Sequence, residues 1–342
     1  MFACYPYGCI FINGKEILWY NAVNMSERIP AVSVVVPAWG VAHLVGEALA
    51  SLQAQSFTDW EAVVVDDGAP DDVAGAVAPF ARTDPRIRFL ATSHGGLSAA
   101  RNRAIAAARA PLISLLDGDD FYRRDYLEKM VAAISADPGL GLVTCDATFT
   151  GNTARDGRRF SEYLSQVGEP TLDAVIARRF NIFGSTILRR EAIDATGGFD
   201  EELAAAEDLD LWIRLLEKGW RAAYVAEPLV IYRRRPGSLS SSTVKLHRAT
   251  VRLYEKAVAR LTGRPEAETA AAMVARMQDM AGWAEGEDLV IAGQTLAGLR
   301  VLRRSHAEHR SARWRVMMVV FRVMPPLARP LLTWRRRQEV QA

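Results

Sequence analysis

The sequence has few cysteines: Cys4, Cys9 and Cys145 are the three in 342 residues. They show neither the close pairing typical of a zinc site nor the even number that a disulfide framework needs. A disulfide-built scaffold is therefore not expected. The pattern is typical of a reducing compartment and predicts a cytoplasmic protein.

Long apolar runs are also missing. No stretch of about eighteen uncharged apolar residues occurs, so the sequence predicts no transmembrane helix. Residues 1–24 lack the basic start and continuous apolar core of a signal peptide. Because Met25 begins MSERIPAVSVVVP, a polar lead into a first strand, we interpret residues 1–24 as the product of a mis-called upstream start. A short ordered N-terminal extension is the alternative.

An excess of charge of one sign is absent as well. The chain has 42 basic and 40 acidic residues, a net charge of +2, which argues against nucleic acid as a partner. The distribution is uneven, however. Acids concentrate in residues 59–72, 117–128 and 200–210, whereas the last thirty residues hold many arginines and almost no acid. This asymmetry predicts an acidic site and a basic tail.

Apolar runs alternate with helical patterns through most of the chain. Runs at residues 31–37, 60–68, 86–91 and 111–120 predict strands. Because strands alternate with helices, we expect an α/β fold with a Rossmann-like, mostly parallel central sheet flanked by helices. From about residue 243 the composition becomes rich in Ala, Arg and Glu, which predicts a C-terminal helical appendage with a break at GRPEAE.

Three acidic clusters follow predicted strands or open a predicted helix. They are Asp66–Asp67, Asp117/Asp119/Asp120 and Glu207–Asp208. Ligands of an open α/β sheet bind beyond the carboxyl ends of its strands, where carboxylates suit a hard cation, a nucleoside or a transferred proton. Each cluster alone also fits a solvated turn or a helix start, and Asp71 and Asp72 fit an N-cap.

Six motifs in a fixed order resemble family 2 glycosyltransferases, which have the GT-A fold. The motifs are VVVPAWG, VVVDDGAPDD, HGGLSAARNRAIAAARAPLISLLDGDD, GGFDEE, AEDLDLWIRL and YRRRPGSLS. They span about residues 31–242, and their ordered combination is more specific than any one of them. The resemblance implies transfer of a sugar from a nucleotide-diphosphate sugar, most often a UDP-sugar, to an acceptor hydroxyl. It also implies inversion at the anomeric carbon and a place in surface polysaccharide or glycolipid assembly.

The resemblance assigns roles by position. Asp208, preceded by Glu207, is implied as the base that takes the acceptor proton, and Asp119 as the ligand of a Mg²⁺ or Mn²⁺ ion that bridges the diphosphate. An in-line displacement needs the base on the face of the sugar opposite the leaving group. The implied donor-binding residues are Pro37, Ala38, Asp66, Asp67, Arg101, Asn102, Asp117 and Arg235.

Three positions depart from the family's pattern. Gly40 stands where Asn usually follows the aromatic residue after the first strand, and Trp39 replaces the more frequent Tyr. Arg235 stands where many members carry a His that ligates the metal or contacts the diphosphate. A guanidinium cannot ligate a metal, although it can neutralise phosphate. The resemblance therefore leaves metal dependence open.

The final segment interleaves apolar residues with arginines. One interpretation is a basic amphipathic tail at an anionic membrane surface, which would place the protein peripherally on the inner face of the plasma membrane. The other is a terminal helix docked on the body, with its arginines solvated. Pro325 and Pro326 break any single long helix here.

The sequence thus predicts four regions: an N-terminal extension (1–30), a GT-A domain (31–242), a helical appendage (243–312) and a basic amphipathic tail (313–342). Its expected partners are a nucleotide-sugar donor and a glycan or lipid-linked acceptor.

Two other functions compete with glycosyl transfer. A non-catalytic nucleotide-sugar or glycan-binding protein of the same fold is consistent with Arg235, but the joint presence of Asp117, Asp119 and Asp208 argues against it. A nucleotidyltransferase usually carries a basic, Gly-rich phosphate loop after its first strand. PAWGVAHLVGEA has no Lys or Arg there, which argues against that class.

Overall fold

The computed structural model describes residues 9–12, 16–19, 28–151, 153–235, 243–305 and 312–341. The chain divides into two compact units. The first comprises residues 1–150, 157–202 and 207–233, and the second comprises residues 151–156, 203–206 and 234–342. The division into four regions stays a prediction.

Within the described residues, the first unit is built on one ten-stranded sheet. Its strands are β1 (Cys9–Ile12), β2 (Glu16–Trp19), β3 (Val32–Ala38), β4 (Trp60–Asp66), β5 (Ile87–Ala91), β6 (Leu112–Leu115), β7 (Phe121–Tyr122), β8 (Leu140–Thr150), β9 (Thr186–Arg189) and β10 (Arg221–Arg233). Their order across the sheet is β1-β2-β5-β4-β3-β6-β9-β8-β10-β7.

The centre of the sheet confirms the predicted α/β fold. Strands β5, β4, β3 and β6 are parallel neighbours. Beyond them β9 runs antiparallel to both β6 and β8, while β8 and β10 are parallel to each other, so the whole sheet is mixed. At the other edge β1 and β2 form an antiparallel pair. Met25, the predicted start, lies outside the described residues.

Helices connect and cover these strands. Those of the first unit are α1 (Val45–Gln53), α2 (Val73–Thr83), α3 (Leu97–Ala107), α4 (Tyr126–Ser135), α5 (Leu172–Ile176), α6 (Arg190–Thr196) and α7 (Glu207–Glu217). The apolar stripe of α1, from Val45 to Leu52, is buried in the core beside β3 and β4, as its helical spacing predicted. Asp72 caps α2 by accepting from the Gly75 amide at 2.8 Å, which confirms the predicted N-cap.

The second unit is helical. It contains α8 (Thr243–Arg260), α9 (Glu266–Ile291), α10 (Thr295–Arg304), α11 (Ala312–Val323) and α12 (Ala328–Gln341), with a 3₁₀ turn at Pro325–Leu327. The predicted break at GRPEAE is confirmed between α8 and α9. Among the residues that the structure describes, no helix is both long and apolar enough to cross a membrane.

A buried ionic cluster fixes the end of the sheet opposite the acidic strand ends. Ser33 and Glu61 are register partners on β3 and β4, and the Ser33 hydroxyl donates to Glu61 at 2.7 Å. The Glu61 carboxylate also accepts from the Arg109 amide at 2.7 Å and from Arg88 at 3.2 Å. Burial alone would raise the pKa of Glu61, but these hydrogen bonds and the charge of Arg88 outweigh it and hold the pKa below its usual range.

We predict that Glu61→Gln lowers the free energy of unfolding by about 3 kcal/mol at neutral pH, because it leaves Arg88 buried without its charged partner. A carboxyl whose pKa falls on folding stabilises the folded state. This contribution to the free energy of unfolding is complete above the unfolded pKa, about 4.3, and is lost as the pH drops through the folded pKa. The stability difference between wild type and variant should therefore be constant above about pH 5 and shrink below about pH 4.

Urea unfolding across this pH range tests the prediction. Glu227→Gln is the matched control, because Glu227 forms a surface pair with Lys129 and exposed pairs contribute less than about 1 kcal/mol. Equal stabilities of Glu61→Gln and Glu227→Gln would contradict the role given to the cluster.

Candidate active site

Two acidic strand ends flank β3 at the carboxyl edge of the parallel block. Asp66 is the last residue of β4 and pairs with Ala38 on β3, whereas Asp117 follows β6 on the other side of β3. Pro37 and Ala38 end β3 and are buried. This arrangement brings the predicted nucleotide-binding residues to one edge of the sheet. Their individual contacts with a nucleotide stay predictions.

Asp66 and Asp67 differ in what they bind. Asp66 is half-buried and accepts from the Ala69 amide at 2.8 Å; burial and the charges of Asp71 and Asp67 raise its pKa. Asp67 is buried, and its two carboxylate oxygens accept from the amides of Gly95 and Gly96 at 2.9 and 2.8 Å. Asp67 thus positions the loop before α3, and its implied contact with base and ribose stays a prediction.

Asp71 supports a second loop at this edge. Its carboxylate oxygens accept from the amides of Gly40 at 3.0 Å and Ala42 at 2.6 Å. Gly40 has a positive φ of 67°. Asp71 therefore fixes the turn that follows β3 and does not cap α2, which Asp72 does alone.

The DGDD turn packs tightly against the end of β3. A Cβ on Gly118 would lie 3.0 Å from the Pro37 carbonyl oxygen and 3.0 Å from a Val41 methyl group. Only glycine fits there without a shift of the turn. Asp117 and Asp119, on either side of Gly118, are partly exposed, whereas Asp120 is buried.

Asp120 and Arg233 join the DGDD turn to β10. The Asp120 carboxylate accepts from the Arg233 amide at 2.7 Å. Burial, together with the charges of Asp119 and Asp117, raises the pKa of Asp120 well above its usual range. The Arg233 side chain donates to the Asp119 carbonyl at 3.0 Å and to Glu47 at 2.7 Å. Asp120 and Arg233 therefore position the turn.

Sequence analysis did not single out Arg233, because one arginine in YRRR carries no signal that separates it from the next. Arg235, the predicted phosphate contact, lies two residues later and falls in the second unit. Its role stays a prediction.

Arg101 on α3 joins two of the acidic clusters. It is buried, and its guanidinium donates to Asp117 at 2.7 Å and to Glu207 at 2.6 Å. Burial alone would lower the pKa of Arg101, but the charges of Asp117, Glu207 and Asp208 offset this and raise it. Burial in turn raises the pKa of Glu207, and the charge of Arg101 opposes the rise. Arg101 thus binds protein carboxylates on both sides, and its implied donor contact stays a prediction.

Asn102 organises the GGFDEE turn. Its amide nitrogen donates to the Phe199 carbonyl at 2.9 Å, and its oxygen accepts from the Phe199 amide at 2.8 Å. Gly198 is required there, because its φ is 82° and a Cβ would lie 2.8 Å from the Asn102 oxygen. Asn102 positions the segment that leads into α7, and its implied donor contact also stays a prediction.

Glu207 and Asp208 open α7. The preceding Ala206 has a positive φ of 59°, an uncommon conformation for a residue with a side chain, which tends to occur at functional sites. One carboxylate oxygen of Asp208 accepts from the Leu209 amide at 2.6 Å. The other lies 3.6 Å from where a Cβ on Gly184 would stand. One oxygen of the Asp208 carboxylate is thus hydrogen-bonded at the start of α7, and the other lies beside a residue without a side chain.

An aromatic cluster begins one residue before Gly184. The Phe183 ring lies 5.3 Å from Tyr232, the residue before Arg233, and Phe149 lies 5.5 Å from Tyr232 and 5.6 Å from Tyr163. Tyr163 is 42% exposed. Sequence analysis missed this cluster, because its members come from four separate segments.

The described residues contain no group of three or more His, Cys, Asp or Glu side chains arranged around one metal position. Asp117 and Asp119 are nevertheless two partly exposed carboxylates on one tight turn. They fit a divalent cation that takes most of its ligands from water and a bound phosphate, as Mg²⁺ usually does.

Known glycosyltransferases are similar to this chain in sequence. Residues 33–197 match the family model described as Glycosyl transferase family 2. The succinoglycan biosynthesis protein ExoO of Rhizobium meliloti is 34% identical over 224 residues, which cover 63% of this chain and 64% of ExoO. The chain spans between 27% and 65% of the length of the first curated relatives it matches.

Two solved structures show the same fold. Residues 1–349 of S. aureus TarS in complex with UDP-GlcNAc match with a TM-score of 0.58 and 18% identity, covering 90% of this chain and 88% of that one. The mannosyltransferase PcManGT of Pyrobaculum calidifontis, in complex with GDP-Man and Mn²⁺, matches with a TM-score of 0.57 and 20% identity, covering 89% and 87%.

We predict that Gly118→Ala lowers the free energy of unfolding of the first unit by about 1–3 kcal/mol, the usual cost of overpacking. The reason is that the added Cβ meets a backbone carbonyl that cannot move without disturbing β3. Urea unfolding followed by circular dichroism measures the change.

Gly46→Ala is the control, since its added Cβ would meet the Phe80 ring at an ordinary 3.5 Å inside α1. It should be neutral or stabilising by up to about 1 kcal/mol. A Gly118→Ala protein as stable as Gly46→Ala would show that the turn is not held against β3.

Proposed function

We propose that this chain, which carries a glycosyl transferase family 2 domain over residues 33–197, transfers a sugar from a nucleotide-diphosphate sugar to an acceptor hydroxyl. A UDP-sugar is the preferred donor, the anomeric configuration inverts, and the product enters surface polysaccharide or glycolipid assembly. Two similar proteins support the proposal: ExoO is a succinoglycan biosynthesis protein, and TarS was solved with UDP-GlcNAc.

The observation that carries the proposal is the double ion pair of Arg101. It joins Asp117, at the strand-end edge where a donor binds, to Glu207, next to Asp208 at the start of α7. Transfer with inversion needs a group at the leaving diphosphate and a base on the opposite face of the sugar, both held in fixed geometry. A single buried cation that holds both acidic segments meets that need.

Asp208 is proposed as the general base. Its position at the first turn of α7 and its bond from the Leu209 amide fix one carboxylate oxygen, while the other lies beside Gly184, where an acceptor hydroxyl has room to approach. Within hydrogen-bond reach the carboxylate takes the hydroxyl proton as the new C–O bond forms. Glu207, paired with Arg101, positions Asp208.

We also propose that transfer depends on a divalent metal ion bound at the DGDD turn. Asp119, with Asp117 beside it, would hold Mg²⁺ or Mn²⁺, which neutralises the charge of a diphosphate leaving group. PcManGT, of the same fold, was solved with Mn²⁺. The chain's own residues set the turn: Gly118 lets it approach β3, and Asp120 and Arg233 fix its far end.

The acceptor is proposed to lie along the aromatic cluster. Phe183 adjoins Gly184 and thus Asp208, while Tyr163, three ring contacts away through Tyr232 and Phe149, presents a partly exposed face. Aromatic faces pack against the apolar side of a sugar ring, which favours a glycan acceptor, free or lipid-linked.

We also propose that the protein works at the inner face of the plasma membrane, where it would meet a lipid-linked acceptor.

We predict that one nucleoside diphosphate binds only with a divalent cation. Calorimetric titration with the diphosphates UDP, GDP and dTDP and with the monophosphate CMP, each with and without Mn²⁺, should show Mn²⁺-dependent binding of one diphosphate, with UDP expected. Asp119→Ala should weaken that binding about tenfold or more, since removal of a direct metal ligand costs at least as much as loss of a supporting residue, which typically costs 10–100-fold.

Asp59→Ala is the control for that titration, because Asp59 pairs with Arg28 on the surface, away from the strand ends. Full binding without any cation, or equal affinities of both variants, would contradict the metal-binding role of Asp119.

We predict that Asp208→Asn abolishes transfer while donor affinity stays within about twofold, because the amide keeps the shape of the carboxylate but cannot accept the proton. Turnover of the donor identified by calorimetry, measured with glycan acceptors, provides the test. Unchanged transfer would refute the assigned base. An absence of turnover in the wild-type protein, despite tight donor binding, would favour the non-catalytic alternative.

A further inference from the structure

Helix α11 has two apolar faces. Trp314 and Phe321 are buried in a cluster with residues of α9, α10 and α12. Val316, Val319 and Val323, spaced three and four residues apart, lie on the opposite side of the same helix. They are 64%, 62% and 73% exposed. A helix that only packs on its neighbouring helices needs one apolar face. Packing within the protein therefore does not explain the second apolar face of α11.

The exposed apolar surface continues through the proline turn into α12. Leu327, Leu331 and Trp334 are spaced four and three residues apart and are exposed, as is Met324 before the turn. We call the whole set the tail face. It consists of Val316, Val319, Val323, Met324, Leu327, Leu331 and Trp334.

Basic residues predominate around the tail face. Residues 312–341, which include α11 and α12, contain seven arginines and one acid, Glu339. Arg335 and Arg336 pair with Glu287 and Asp288 of α9, whereas Arg315 and Arg322 are exposed. Both lie about a quarter turn from the valines on α11, so the apolar face has a basic flank.

We propose that the tail face docks in the plane of an anionic lipid bilayer, with its apolar side chains in the acyl boundary and Arg315 and Arg322 at the headgroups. This inference rests on the proposed membrane location, which it deepens by naming the surface and the lipid class. Exposed apolar residues beside arginines, on helices too short and too broken to span, are the combination that an interfacial segment requires.

The charge pattern favours lipid over a second copy of the chain. A symmetric dimer through the tail face would place the arginines of both copies against one another with no acid between residues 312 and 338 to neutralise them. An anionic headgroup layer neutralises the same arginines. Both sides of the two-helix segment then have a partner: helices α9 and α10 on one side and lipid on the other.

Flotation of the full chain with liposomes tests the proposal without turnover. Vesicles of phosphatidylcholine containing roughly 30% phosphatidylglycerol should carry the protein upward, and vesicles of phosphatidylcholine alone should not. The reason is that each basic residue near an anionic surface contributes about 1 kcal/mol to the binding free energy, and a neutral surface lacks this attraction. Val319→Ser with Val323→Ser should lower the bound-to-free ratio about tenfold or more. Arg315→Gln with Arg322→Gln should lower it by a similar factor on anionic vesicles.

Val167→Ser is the matched control, since Val167 is an 84% exposed valine of the first unit, and it should float like wild type. Equal flotation of the double-serine variant and wild type would overturn the proposal, as would equal binding of wild type to both vesicle types. Light scattering that shows a dimer of wild type and a monomer of the double-serine variant would assign the face to self-association instead. Nucleotide titration of the same samples measures donor binding separately. It therefore distinguishes failure of the membrane proposal from failure of the proposed enzymatic function.

Discussion

The double ion pair of Arg101 is the interaction on which the candidate site depends. A buried guanidinium is tolerated only when its charge is matched, and here it is matched by Asp117 at 2.7 Å and by Glu207 at 2.6 Å. These carboxylates belong to a strand end and a helix start 90 residues apart in sequence. The need to neutralise one cation therefore fixes the distance between the two segments that the proposed chemistry requires on opposite sides of a sugar.

The neighbouring residue extends this constraint. Asn102 follows Arg101 on α3 and holds the Phe199 backbone in the GGFDEE turn, so one turn of α3 fixes both the start of α7 and the chain that leads into it. The motif SAARN thus acts mainly on protein groups. A short helical motif therefore affects the site by positioning the segments that carry the reacting groups.

Several acids at the edge of the sheet bind backbone amides of the protein itself. Asp67 and Asp71 bind loop amides, and Asp120 binds the Arg233 amide. Each bond offsets the cost of burying a carboxylate by giving it donors. Asp66, Asp117, Asp119 and Asp208 remain partly exposed, which makes them the acids able to meet a nucleotide, a cation or a hydroxyl.

The sequence by itself determined the α/β fold, the likeness to family 2 glycosyltransferases, the break between α8 and α9 and the segments that meet at the site, because hydrophobic periodicity and motif order are local properties. Tertiary structure alone decided which acid in each cluster is buried on protein donors, since that depends on amides supplied by distant loops. It also revealed Arg233, the aromatic cluster and the exposed second face of α11. Each of these depends on which side of an element the packed core covers, and no local pattern records that choice.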